Sequence, residues 1–192
     1  MIESKMKLAV AGDAGSFSEE AGRLYSEREG LHVELVYAID MEGVLTRVDR
    51  GDVALGIFPV VNAYGGLVRQ AFDAMGRHHF IVVDEFPLDV QQCLMVLPQC
   101  TRSEIKNIAS HPQALRQCRR TIAREFPKAK IIEWVDTAKA GRDLQAGLLP
   151  ATTAVIAGAR AASLYGLKIL EHGIQDIKPN ITTFIIVKKY RV

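Results

Sequence analysis

Two adjacent threonines near the end of the chain stand where a polar stretch meets an apolar one. Thr182 and Thr183 belong to the sequence Asn-Ile-Thr-Thr-Phe, which begins at Asn180 and leads into the apolar residues 184–187. Such a run of apolar and β-branched residues is typical of a buried strand. A hydroxyl at the mouth of a strand can donate a hydrogen bond to an oxygen that gains negative charge. Partners for such chemistry must come from elsewhere in the sequence.

Four predicted turns between a strand and a helix carry small or polar residues. They span residues 12–16, 62–66, 110–113 and 136–138. The free N–H groups at the start of a helix attract anions, and ligands bind at the carboxyl ends of the strands in α/β sheets. Two lobes that present such turns to each other would form a cleft for a small anion, especially a dianion. The alternative is that these turns are ordinary helix caps.

Single residues in these turns allow simpler interpretations. His111 could act as a base, but its place beside a helix start is equally typical of a cap. Asp13 carries a charge that repels an anionic ligand. The Gly12-x-x-Gly15 pattern is neither a phosphate-binding loop nor a dinucleotide fingerprint, so it predicts no nucleotide.

Predicted strands and helices alternate along the whole chain, which indicates an α/β fold with mainly parallel sheets. The predicted strands are residues 7–11, 33–37, 53–60, 80–86, 90–97, 105–110, 130–135, 154–156 and 181–188. The predicted helices are residues 19–29, 41–50, 66–75, 112–124, 137–145 and 158–165. Residues 85–89 contain a proline and precede no helix, so we expect them to cross between two lobes. The predicted lobes are residues 1–86 plus 168–192, and residues 87–167.

Composition and charge exclude several classes of function. The net charge of the 192 residues is +2 and the basic residues are scattered, so no nucleic-acid partner is expected. The three cysteines, Cys93, Cys100 and Cys118, form no C-x-x-C pair and are predicted to be reduced thiols, with no metal site. The sequence shows neither a signal peptide nor an apolar run of about 20 residues. We therefore expect a cytoplasmic protein with no membrane partner.

Motifs in several of these segments resemble those of the prephenate dehydratase family over residues 7–188. Residues 110–118 match the family's S-H-P-Q-A-L-x-Q-C without a gap. Residues 12–18 are similar to G-P-x-G-T-F-S, and residues 59–63 align with P-x-E-N-S. Residues 180–184 align with N-x-T-R-F, and Glu85 matches the glutamate of a G-E pair. The order of these motifs along the chain makes a chance match implausible.

The resemblance implies an enzyme of phenylalanine biosynthesis that converts prephenate to phenylpyruvate without a cofactor. It implies two α/β lobes with a cleft between them, similar to type II periplasmic binding proteins. Thr182, by this resemblance, assists loss of the substrate hydroxyl, and Ser110, Gln117 and Asn62 are further catalytic residues. The implied substrate-binding residues are Gly15, Ser16, Phe17, Ser18, Ala63, His111, Gln113, Thr137, Thr183 and Phe184.

The chain departs from the family at three motif positions. Val61 replaces the glutamate of P-x-E-N-S, Thr183 replaces the arginine of T-R-F, and Gln92 replaces a histidine common before the cysteine. Glu85 is then the remaining acidic candidate, or merely a residue that links the lobes. Two alternatives stay open: a prephenate decarboxylase that retains the hydroxyl, and a noncatalytic small-anion binding or sensor protein. Arogenate, with an amine in place of the keto group, also stays open as the substrate.

The resemblance also carries expectations about assembly and regulation. Family members are commonly oligomers, so we expect a homodimer or a homotetramer. Bacterial members commonly continue into an ACT domain that binds phenylalanine, whereas this sequence ends at Val192. We expect phenylalanine feedback to be absent or to act through another chain, such as a separate ACT-domain or chorismate mutase partner.

Overall fold

The computed structural model describes residues 5–191, which fold into two compact units. The first unit contains the chain up to Asp89 and the segment from Ile181 onward, and the second is Val90–Asn180. The strands are β1 (Met6–Ala11), β2 (Val33–Ala38), β3 (Leu55–Asn62), β4 (Gly66–Leu67), β5 (Phe80–Asp89), β6 (Cys93–Val96), β7 (Asn107–Ser110), β8 (Lys130–Glu133), β9 (Thr153–Ala157), β10 (Lys168–Glu171) and β11 (Ile181–Lys189). The helices are α1 (Phe17–Arg28), α2 (Met41–Arg50), α3 (Arg69–Met75), α4 (Pro112–Gln117), α5 (Arg119–Glu125), α6 (Thr137–Gln145) and α7 (Ala159–Tyr165). No helix within residues 5–191 is long and apolar enough to cross a membrane.

The first unit is built on a sheet with strand order β2-β1-β3-β11-β5, and β4 pairs with β3. β1 is parallel to β2 and β3, whereas β11 is antiparallel to β3 and β5. The helix α2 packs on this sheet and buries Val44, Leu45 and Val48 completely in a core that includes Phe58. The C-terminal strand therefore lies inside the sheet of the N-terminal unit.

Local caps explain where the helices of the first unit begin and end. Asp40 accepts a hydrogen bond from the Gly43 N–H at 2.8 Å, and Gly51 ends α2 in the left-handed region at φ 82°. Ser16 caps α1 by accepting from the Glu19 N–H. Residues 16–19 have the pattern of a capping box, but the Glu19 carboxylate accepts from the Gly15 N–H and not from that of Ser16.

The second unit has a five-stranded sheet with the order β10-β6-β9-β7-β8. β7 is parallel to β8 and β9, and β6 is antiparallel to β9 and β10. Leu144 and Ala161 belong to one buried cluster, which includes residues of α6 and α7. Leu115 and Ile122 belong to another, from α4 and α5. The three central strands β6, β7 and β9 are thus almost completely buried, as in an α/β unit with a helical layer on each face, whereas the edge strands β8 and β10 are partly exposed.

The α/β class predicted from the sequence is confirmed, but the expectation of mainly parallel sheets is wrong. Both sheets are mixed, because β11 and β6 each run antiparallel to both of their neighbours. Residues 168–171 form β10, a strand that the sequence did not predict. β10 pairs with β6, so residues 168–180 belong to the second unit and not to the first, as the sequence boundary had placed them.

Two predicted helices also differ in their bounds. The helix predicted over residues 66–75 begins at Arg69, because Gly66 and Leu67 pair with β3 as a short strand. The helix predicted over residues 112–124 is interrupted at Cys118 and continues as α5. Asp176 accepts hydrogen bonds from the N–H groups of Arg120 and Thr121, which gives α5 its own cap.

We expect Gly56 to be indispensable for the packing of α2 on β3. A Cβ atom at Gly56 would lie 2.6 Å from Val44 Cγ1 and 2.9 Å from Val48 Cγ2. Gly56→Ala should therefore lower the free energy of unfolding by about 1–3 kcal/mol, measured by urea denaturation. Adding Val44→Ala should recover part of that loss.

Gly76→Ala is the matched control for this substitution. A Cβ at Gly76 would meet atoms at 3.7 Å or more, and the backbone there is in the right-handed helical region at φ −68°. We expect its free energy of unfolding to stay within about 0.5 kcal/mol of the wild type. Equal stability of the two alanine variants would show that the close approach at Gly56 is relieved without cost.

Candidate functional site

Thr182 and Asn62 form a buried hydrogen-bonded pair in the first unit. They are cross-strand partners of β11 and β3, and they are 7% and 4% exposed. Asn62 Nδ2 donates to Thr182 Oγ1 at 2.8 Å, while Asn62 Oδ1 accepts from the N–H groups of Tyr64 and Gly65 at 3.0 and 2.7 Å. The two backbone donors fix the orientation of the amide. Thr182 therefore receives a hydrogen bond at its oxygen, and its own proton is directed to another acceptor.

The two charged positions that the chain lacks are opposite each other in the sheet. Thr183 of β11 pairs with Val61 of β3, and both side chains are half-buried. Directly opposite residues of an antiparallel pair project to the same face and are close enough to interact. The glutamate and arginine that the family resemblance places here would form a cross-strand ion pair. In this chain a neutral β-branched pair replaces both partners.

Glu85 is remote from Thr182. It is exposed on β5 opposite Ile185, whereas Leu88 is the β5 residue opposite Thr182. Three residues along a strand correspond to about 10 Å. Glu85 is therefore not positioned as an acid for a group bound at Thr182.

The glycine-rich turn before α1 has fewer free donors than its sequence indicated. The Glu19 side chain is 1% exposed, and it accepts from the Gly15 N–H at 2.6 Å and from Arg23 Nε at 2.7 Å. The Glu19 N–H in turn donates to the Ser16 hydroxyl at 3.3 Å. Of the predicted binding residues in this turn, Ser16 and Ser18 are buried and Phe17 is half-buried. A carboxylate of the chain itself thus already occupies part of the helix start.

In the second unit the Ser110 hydroxyl has a structural partner. It is completely buried and donates to the carbonyl oxygen of Ile156 at 2.6 Å, which links the ends of β7 and β9. His111, the next residue, caps α4 by accepting from the Gln113 N–H at its Nδ1 atom, at 3.2 Å. Burial lowers the pKa of His111; Arg116 lowers it further, whereas Asp136 and Glu133 oppose the shift.

Gln117 belongs to a network of buried amides. Its Oε1 atom accepts from Gln92 Nε2 at 3.0 Å and from Asn180 Nδ2 at 3.2 Å. Asn180 Nδ2 also donates to the carbonyl oxygen of Val90 at 3.3 Å, and Gln175 Oε1 accepts from the Gln92 N–H at 3.0 Å. The family motifs pointed to Gln117 and Asn180, but the role of Gln175 was missed, because no sequence pattern marks it.

The remaining predicted residues are dispersed. Ala63 uses its N–H to bond the Ile181 carbonyl oxygen at 2.8 Å, and Phe184 is 1% exposed within the first unit. Thr137 is the first residue of α6, whose cap is Asp136. Among residues 5–191 no three histidine, cysteine or acidic side chains gather as a metal site.

Two of the three thiols of the second unit, Cys100 and Cys118, are not activated. Cys93, Cys100 and Cys118 are all buried and none forms a disulfide. Burial is the main cause that raises the pKa of Cys118 and of Cys100. Both thiols therefore stay protonated near neutral pH, and neither is a nucleophile or a metal ligand in this state.

Comparison with known sequences agrees with the motifs. A family model described as prephenate dehydratase matches residues 8–191. Arogenate dehydratase 5 of Arabidopsis thaliana is 36% identical over 187 residues, which cover 97% of this chain and 43% of that protein. Arogenate dehydratase/prephenate dehydratase 6 of the same plant is 33% identical over 190 residues, which cover 98% of this chain and 45% of that protein. The chain thus spans less than half the length of these relatives.

Comparison with solved structures identifies the fold. The prephenate dehydratase from Arthrobacter aurescens, in complex with L-Phe, superposes with a TM-score of 0.86 at 24% identity, covering 97% of this chain and 61% of that chain. A periplasmic substrate-binding protein of an ABC transporter from Coxiella burnetii gives a TM-score of 0.50 at 15% identity, covering 96% and 84%. The expected likeness to the periplasmic binding-protein fold is therefore confirmed.

We expect His111 to make the stability of the protein depend on pH between about 5 and 7. The pKa of His111 is lower in the folded state than its unfolded value of about 6.5. The contribution of His111 to the free energy of unfolding is therefore complete above about pH 6.5 and is lost as the pH falls below that value. Protonation also removes the Nδ1 acceptor that caps α4. His111→Asn keeps a capping side chain and removes the titration, so its Tm should fall less than that of the wild type between pH 7 and pH 5.

The control is His79→Asn, which replaces an exposed histidine of the first unit. That variant should retain the wild-type difference in Tm between the two pH values. If His111→Asn and His79→Asn lose Tm equally on acidification, the cap of α4 is not a source of the pH dependence.

Proposed function

We propose, because the chain belongs to the prephenate dehydratase family, that it catalyses the decarboxylation and dehydration of prephenate to phenylpyruvate. The observation that carries this proposal is the Asn62–Thr182 hydrogen bond, which orients a hydroxyl as a donor at the mouth of β11. Relatives bear the names arogenate dehydratase and prephenate dehydratase, so arogenate is the second substrate to test.

The reaction determines what the protein must supply. The carboxylate at C1 of prephenate leaves as carbon dioxide, and the electron pair of that bond moves through the ring as the C4–oxygen bond breaks. The departing oxygen takes up a proton from the solvent and leaves as water, and the ring becomes aromatic. Aromaticity provides the driving force, so stabilising the charge that develops on the departing oxygen is the main catalytic task.

Thr182 is suited to that task as a hydrogen-bond donor. An alcohol is a weak acid, so the hydroxyl stabilises the developing charge and does not transfer its proton outright. Asn62 holds the threonine oxygen from the other side, and backbone N–H groups hold Asn62 in turn. Such fixed dipoles need no reorganisation during the reaction, which is the source of their effect on rate.

The paired departures at Val61 and Thr183 favour the dehydratase over a decarboxylase that retains the hydroxyl. Independent loss of an acid and of a base would indicate altered chemistry. Here the two positions are cross-strand partners, so one exchange of an ion pair for a neutral pair accounts for both.

The direct test is incubation with prephenate and identification of the product. We expect phenylpyruvate in the wild type and a kcat lower by about 10²–10³ in Thr182→Val, the usual cost of one transition-state donor. KM should change little, because the hydrogen bond strengthens as charge develops. Thr182→Ser, which retains a hydroxyl, should recover most of the rate.

Thr183→Val is the matched control, since it removes the neighbouring hydroxyl of the same strand. Its kcat should stay within about threefold of the wild type, because Thr183 projects to the opposite face of the strand. Equal effects of the two valine variants would withdraw the role of Thr182. A non-aromatic product that retains the hydroxyl would identify a decarboxylase, and tight binding without turnover would identify a sensor.

The cross-strand pair can be tested by restoring its charges. Thr183→Arg alone places a half-buried guanidinium opposite Val61 and should destabilise the protein by about 1 kcal/mol. Val61→Glu combined with Thr183→Arg should be more stable than the sum of the single variants by about 0.2–1 kcal/mol, measured as a double-mutant cycle in urea. Additive effects would mean that the two positions changed independently.

A further inference from the structure

The end of the first sheet opposite to Thr182 carries a cluster of basic side chains around a cavity. Thr182 lies near the start of β11 and Lys188 near its end, and six residues of strand correspond to about 20 Å. A cavity of about 710 Å³ opens at this far end. The basic residues that line it are Lys5, Lys7, Lys188, Lys189 and Arg191.

The directions of the strands explain why residues from both ends of the chain meet here. β1 runs parallel to β3 and β11 runs antiparallel to it, so the start of β1, the start of β3 and the end of β11 share one end of the sheet. The Ala54 N–H donates to the Lys7 carbonyl oxygen at 3.0 Å, which joins β1 to the loop before β3. The cluster is therefore a product of the fold, although its residues are separated in the sequence.

The positive charge at this cavity is poorly compensated. Among the described residues that line it, Asp52 is the one carboxylate. Within residues 5–191, none of the five basic side chains forms a hydrogen bond or an ion pair. Five positive charges against one negative charge leave +4 at the cavity, on a chain whose net charge is +2. The remainder of the chain is therefore net negative.

A structural role accounts for only part of the cluster. Lys189 Nζ lies 3.6 Å from the position that a Cβ atom of Gly51 would take, at the C-terminus of α2, where a cation is favourable. The other four basic residues have no such role. Cations that converge on a concave surface repel one another and raise the local concentration of anions. The volume of the cavity is that of a small-molecule site.

We propose that this cavity binds a polyphosphate anion, either inorganic or carried by a nucleotide. Lysine and arginine are the side chains that bind phosphate oxygens, and a polyphosphate with about four negative charges balances the charge of the cavity. No aromatic side chain is present among the described residues that line the cavity, so no ring is available to stack on a base. The phosphate chain is therefore the group that is recognised.

The test is isothermal titration calorimetry with sodium tripolyphosphate and with ATP, both without magnesium. We expect one site and Kd values for the two anions within about threefold of each other, because the base adds little. Lys7→Met and Lys188→Met keep the aliphatic stem and remove the charge, so each should weaken binding of both anions about tenfold. Asp52→Asn removes the opposing carboxylate and should tighten binding. Both anions should raise the Tm of the wild type.

Lys130→Met is the matched control, because it removes an exposed strand lysine of the second unit and changes the net charge equally. It should retain the wild-type Kd for both anions. Equal weakening in Lys130→Met and Lys7→Met would overturn the proposal in favour of general attraction to a basic surface. Absence of binding by tripolyphosphate would overturn it as well, whether or not ATP binds. Tighter binding of a mixed-sequence DNA oligonucleotide than of ATP would assign the cluster to nucleic acid instead.

Discussion

The insertion of β11 between β3 and β5 is the constraint on which the first unit depends. Within residues 5–191, β5 has no other partner in its sheet, and β3 would keep only the two-residue β4 as an antiparallel neighbour, so the sheet is complete only when the C-terminal segment returns to it. Burial of the Phe184 and Ile186 side chains stabilises this arrangement through the hydrophobic effect. The same insertion places Thr182 opposite Asn62, so the stability of the sheet and the position of the Thr182 hydroxyl have one origin.

Backbone groups of fixed polarity orient the polar side chains in both units. The N–H groups of Tyr64 and Gly65 orient Asn62, which makes Thr182 an acceptor on one side and a donor on the other. The Val90 carbonyl orients the second network, which ends in the acceptor of Gln92. Side-chain amides can flip, whereas a backbone N–H group can only donate and a backbone carbonyl can only accept. The chemistry offered to a ligand therefore follows from backbone geometry that does not rearrange.

The sequence predictions were accurate where the contacts that define an element lie within a few residues of it, and inaccurate where those contacts come from distant parts of the chain. The helices α2 and α6 were predicted with their observed bounds, because their caps lie within a few residues. The break at Cys118 was missed, because the carboxylate that caps α5 belongs to Asp176, more than 50 residues away. β10 was missed because four residues carry too weak a pattern, and its pairing with β6 is a tertiary contact. Local signals could thus be read from the sequence and distant ones could not.

The same limit applies to the site, where the sequence identified residues but not their relations. Ser110 lies in the motif that matches best, yet its hydroxyl is bonded to a backbone carbonyl, so part of that motif maintains the fold. Val61 and Thr183 are 122 positions apart, and only the strand register shows that they are partners. Two substitutions at positions that face each other in a sheet can be a single exchange of one side-chain pair for another. The departures at Val61 and Thr183 are therefore one structural change and not two.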